Sequence, residues 1–157
     1  MKQALRVLIA VTAVASLLGL AVPTTAHAQG CTVATLKGGY GFTTPNGFTR
    51  PTPSSSRFVP EIAAGLVTFD GRGGFTGKAT NVTNGDTAPE TPPFQFALVG
   101  TYTLDSDCTG SLTEINSGTH LEIVVVDSGK EVSAIQTDLQ ETRTFDFKKI
   151  RVPDNND

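Results

Sequence analysis

From Tyr40 onward this chain places its apolar residues two apart, in short runs cut by Gly, Asp, Asn and Pro, and almost never three or four apart. Period-two alternation marks a strand with one buried face, and the cuts are turn chemistry, so the pattern demands an antiparallel all-β fold. It predicts strands over 40–44, 61–69, 74–83, 94–104, 108–115, 119–127, 130–137 and 142–152. Phe94, Phe96, Leu98, Tyr102 and Leu104 share one face of the fourth strand, whereas Ile123-Val124-Val125-Val126 is apolar on both faces of the sixth. Only Thr32–Lys37 offers a short helical turn, which Gly38-Gly39 would end.

Eight consecutive strands of this kind form an eight-stranded antiparallel up-and-down (meander) β-barrel, with a β-sandwich as the alternative that spacing alone leaves open. Alternation of direction sorts the connections. Pro45–Pro60 and Asn84–Pro93, the two long ones, fall at one end, with Asn116–Gly118 and Asp138–Glu141. Asp70–Gly73, Asp105–Asp107 and Ser128–Gly129 fall at the other. Cys31 precedes the first strand and Cys108 follows the fourth, so the same alternation brings both cysteines to the short-turn end. Thr32–Lys37 then plugs that end, with Tyr40 and Tyr102 filling the core above it.

The first 28 residues carry the parts of a secretory signal: Lys2 and Arg6, an apolar stretch over 7–22, and Ala26-His27-Ala28 as the cleavage site. Cleavage would leave 29–152 as a single domain and 153–157 as a polar tail. An even cysteine count in an exported chain points to a Cys31–Cys108 disulfide; lipidation of Cys31 is the alternative, although Ala28-Gln29-Gly30 makes a poor lipobox. Periplasm and medium fit equally. Past Ala28 the formal net charge is −5, with no basic cluster, so nucleic acid is not an expected partner, and nothing implies stable membrane insertion after cleavage.

Chemical motifs are scarce. His120 is the one histidine past the signal, and no Gly-x-Ser-x-Gly elbow surrounds a serine, so neither a Ser-His-Asp site nor a metal site is expected, and no cofactor is implied. The Asp70 and Asp105–Asp107 segments match turns rather than a calcium loop, and Asn81-Val82-Thr83 is a sequon by spacing alone. His120 and Glu122 share a face at the long-loop end. If that face is internal they line the mouth of a cavity, with Asp138 the nearest further polar side chain; if it is external, Glu122 is solvated.

Four runs carry a resemblance: Cys31-Thr-Val-Ala-Thr-Leu-Lys-Gly-Gly-Tyr-Gly-Phe42, Gly65-Leu-Val-Thr-Phe-Asp-Gly71, Gly100-Thr-Tyr-Thr-Leu-Asp-Ser-Asp-Cys-Thr-Gly110 and Val126-Asp-Ser-Gly-Lys-Glu-Val132. In this order they resemble a widespread group of small secreted bacterial proteins of unknown function. That group resembles the lipocalin-like and allene-oxide-cyclase-like barrels. The resemblance implies export and a barrel, and supplies no activity. Three functions stand as expectations. The first is a barrel binding a small apolar or mixed-polarity ligand at the long-loop end through His120, Glu122 and Asp138. The others are a cofactor-free isomerase or cyclase, and a non-catalytic structural or interaction protein whose barrel is filled by its own side chains.

Overall fold

The computed structural model describes residues 30–52, 54–87 and 96–151. The expected signal, residues 88–93 of the Asn84–Pro93 connection, the expected start of the fourth strand at Phe94 and the polar tail lie outside them. Eight long antiparallel strands close on themselves: β1 (Lys37–Thr43), β3 (Val59–Asp70), β4 (Gly74–Thr83), β6 (Phe96–Leu104), β7 (Thr109–Glu114), β8 (His120–Val126), β9 (Glu131–Gln136) and β10 (Glu141–Lys149). Neighbours pair in chain order, and β10 pairs back to β1, with Phe42 opposite Phe147 and Tyr40 opposite Lys149. The fold is the meander barrel, and closure excludes the sandwich.

Two short strands extend this frame. β2 (Gly47–Thr49) lies inside the expected Pro45–Pro60 loop. It carries on from β1 after a break, bridging Val59-Pro60 of β3 and Glu141–Arg143 of β10. Part of that loop is therefore strand, because β3 and β10 both outrun β1 and leave backbone groups to satisfy. β5 (Asp86–Thr87) pairs with the end of β4. The Ser128-Gly129 hairpin signal is a longer turn, Asp127–Gly129, whose residues all take left-handed backbone with φ of 46°, 55° and 83°.

Inside and outside follow the pleat. Along β3, Val59, Glu61, Ala63, Val67 and Phe69 are buried while Pro60, Ile62, Ala64, Leu66 and Asp70 face out. Aromatic rings fill the short-turn half: Phe69 meets Tyr102 at 5.0 Å, Tyr40 at 5.3 Å and Phe75 at 5.8 Å between centroids. Two internal glycines make room for rings on the neighbouring strand. A Cβ on Gly100 would stand 2.3 Å from Phe75, and one on Gly65 would stand 2.5 Å from Phe42, each its cross-strand partner.

The short-turn end is shut. Val33–Thr35 forms one 3-10 turn, as the Thr32–Lys37 segment leads one to expect, and Leu36 beside it is fully buried. The Tyr102 hydroxyl donates to the carbonyls of Val33 (2.7 Å) and Leu36 (3.0 Å), and that of Tyr40 donates to Gly129 O at 2.5 Å. Burial raises both phenols above their ordinary pKa, so they stay protonated donors. The Cys31–Cys108 disulfide sits at this end, with Cα atoms 4.9 Å apart.

Candidate functional site

The other half of the barrel is hollow. A cavity of about 360 Å³ opens toward the long-connection end. Its wall is mainly apolar: Phe42, Phe145 and Phe147 form one contiguous face, centroids 5.3–6.3 Å apart, and Phe75, Leu98 and Leu112 belong to the rest. Strand pleat explains its polar rim. Glu61, Asn81, Glu114 and Arg143 stand in phase with the inward aromatic and aliphatic side chains of β3, β4, β7 and β10, but at the strand ends nearest the opening.

Arg143 organises the rim. Its Nη1 donates to Glu61 Oε1 at 2.5 Å, its Nε donates to Gln136 Oε1 at 2.6 Å, and both members of the Arg143–Glu61 pair are only about a tenth exposed. Asn81 Nδ2 also donates to Glu61 Oε1, at 3.2 Å. Glu141 lies beside them, its Oε1 accepting from Thr49 Oγ1 at 2.8 Å and its Oε2 3.4 Å from Arg143 Nε. Burial pushes the Glu61 carboxyl above the ordinary range; Arg143 opposes this, but adjacent Glu141 adds to it, and burial wins. Glu114 goes the other way. Burial alone would raise it, but hydrogen bonds from the Ser117 side chain and from the backbone N–H groups of Ser117, Asn116 and Val99 more than offset that and hold it low.

His120 and Glu122 are not at this rim. Both point outward, alternating with buried Leu121 and Ile123, so the expectation that they line the mouth is corrected by one step of the pleat. Asp138 lies in the β9–β10 connection at the open end. It accepts from the His120 backbone N–H at 2.8 Å, from His120 Nδ1 at 2.9 Å and from Gln136 Nε2 at 2.8 Å. Burial would raise Asp138, but these bonds outweigh it and lower its pKa. The Gln136 amide orientation is dictated by its neighbours, since a carboxylate must accept and a guanidinium must donate. An unbroken hydrogen-bonded chain thus links His120, outside, through Asp138, Gln136 and Arg143 to Glu61 inside.

The other sequence candidates resolve as turns or wall. Asp70 Oδ1 accepts from the N–H groups of Arg72 and Gly74, and Asp107 Oδ1 accepts from Thr109. Asn81 turns its amide to Glu61 rather than outward. Among the described residues, no three His, Cys, Asp or Glu side chains are grouped to hold a metal ion, and no helix is long and apolar enough to cross a membrane. No family model matches the chain, and no curated protein matches it at a significant level.

Proposed function

We propose that this chain is an exported barrel that binds a small apolar or mixed-polarity ligand, entering by the end that carries the long connections. One observation carries this reading: the chamber is hollow, apolar along its wall and charged at its opening. Its volume lies within the ~300–1,000 Å³ of small-molecule sites. A barrel serving only as a scaffold has no need of that void, since small barrels ordinarily fill with their own side chains. The signal at residues 1–28 and the Cys31–Cys108 bridge support an oxidising periplasmic or extracellular location. The test is titration with the neutral fluorophore N-phenyl-1-naphthylamine. Saturable one-to-one binding is expected, lost in the chamber-filling variant Ala79→Phe with its melting curve intact. Equal binding by that variant, or no binding to wild type, would overturn the chamber as the site.

A second reading, the cofactor-free isomerase or cyclase, gains from Glu61, a carboxyl kept high in pKa by burial beside an apolar wall. It predicts that a molecule co-purifying from the native host changes isomeric form on incubation with wild type but not with Glu61→Gln. An unaltered molecule would leave binding alone.

A further inference from the structure

The chamber's own charges narrow the ligand class, an inference that rests on the chamber being the binding site. Two carboxylates line the chamber, Glu61 and Glu114, against one guanidinium, that of Arg143, and Glu141 lies beside Arg143 with its Oε2 3.4 Å from Nε. The nearby Arg50 guanidinium lies over the Phe58 ring at 4.8 Å, and makes no ion pair within 4 Å among the described residues. Arg143 is also already committed, with Nε given to Gln136 and Nη1 to Glu61. Those bonds use two of its five N–H donors, and an anionic ligand reaching the others would still face Glu61 and Glu114.

A second observation concerns unmet polar groups. Three buried atoms beside the rim, the Glu141 Oε2 carboxylate oxygen, the Thr44 hydroxyl and the Arg50 Nε donor, have no hydrogen-bond partner among the described residues. Glu141 Oε2 is near Arg143 Nε, but that N–H points to Gln136. In the chamber lining itself negative charge exceeds positive by one, Glu61 and Glu114 against Arg143. Below the rim, the Phe42, Phe145 and Phe147 rings offer π faces that attract cations, as the Arg143 guanidinium 5.9 Å from the Phe145 centroid already illustrates.

We propose that the chamber selects an apolar molecule carrying a single positive charge, an amine or quaternary ammonium, with its charge against Glu61 and Glu114 and its body on the phenylalanine wall. Low-dielectric walls focus the excess negative field of the rim on the opening, which favours such a ligand over neutral or anionic molecules of equal size.

The experiment competes three probes with ten-carbon chains against N-phenyl-1-naphthylamine at one pH and ionic strength: decyltrimethylammonium, decanol and decanoate. The cation is expected to bind about tenfold tighter than the alcohol, and the carboxylate weakest. In Glu61→Gln the preference for the cation over the alcohol should shrink by about tenfold while decanol binding persists. Should that variant not fold, the wild-type ranking stands by itself as the test. Equal binding of the three, or decanoate tightest, overturns cation selection and leaves the chamber as a binding site. Failure of all three, and of the fluorophore, removes the chamber reading and the cation with it.

Discussion

Consider Arg143→Met, which keeps an apolar stem of similar length but deletes the charge. The wild-type pair has side chains 11% and 10% exposed, so Glu61 would become a desolvated carboxylate without its cationic partner, though Asn81 would still donate to it. Removing one partner of a buried pair costs about 3–5 kcal/mol. Gln136 Oε1 loses its 2.6 Å donor as well, and an unmet buried acceptor costs about 1–3 kcal/mol. The opening of the chamber lets water reach the rim, so the lower end, about 3 kcal/mol near neutral pH, is the expected loss. Glu61 has an escape, because a carboxyl already raised by burial can take a proton and become neutral. Its folded pKa lies above its unfolded one. It therefore costs stability as pH rises from the ordinary 4.5 through the folded value, and the variant's deficit must shrink on acidification. Urea unfolding followed by far-UV circular dichroism, with the disulfide intact, measures this at about pH 7.5 and pH 5. The companion Glu61→Gln and the double variant complete a cycle, whose coupling should exceed about 1.5 kcal/mol. A loss under about 1 kcal/mol for Arg143→Met, with no coupling, would show the pair to be screened like a surface ion pair and refute the buried-rim account.

Replacing Cys31 and Cys108 with Ser opens a bridge between positions 77 apart, and should cost about 4.5 kcal/mol on the chain-entropy model, read from urea midpoints; an unchanged midpoint would deny the bridge its role. Glu114 is held below its ordinary 4.5, so its stabilisation is complete above that value and is lost as pH falls through the folded pKa. Thermal midpoints of Glu114→Gln should accordingly decline less steeply in acid than those of wild type, and parallel curves would contradict it. His120→Ala and Glu122→Gln should leave N-phenyl-1-naphthylamine affinity within about twofold, since both side chains lie outside the barrel wall; a tenfold loss in Glu122→Gln would return the outer face to the site.

The strands and their order were legible because turn residues punctuate nearly every reversal and the alternation between them is clean, as in Glu61–Phe69. The closed end was legible for the same reason, since strand direction alone places Cys31 beside Cys108. The rim was not legible at β8. Ile123 to Val126 is apolar on both faces, so the segment holds no contrast by which to tell inside from outside, and His120 and Glu122 could be set on either one. A usable signal lay in other strands. Arg143 is in step with Phe145 and Phe147, Glu114 with Leu112, and Glu61 with Val67 and Phe69. A charged residue in phase with inward aromatics, at the end of a strand toward the long connections, is a rim residue. β2 was hidden for a different reason: Gly47-Phe48-Thr49 is too short to show a period, and only the unpaired backbone of β3 and β10 calls it into the sheet.

The bridge also reshapes the route by which the barrel can close. Its last seam joins Tyr40 to Lys149, 109 positions apart along the backbone. Through the disulfide the covalent path from one to the other runs down to Cys31 and on from Cys108, about half as long. Halving a loop lowers its closure cost by about 0.6 kcal/mol. A chain oxidised before it folds should therefore zip that seam about threefold faster than a reduced one, wherever the seam is rate-limiting. The crosslink is a shortcut in the folding map as well as a brace in the finished barrel, and the order of oxidation and folding becomes a kinetic variable for this protein.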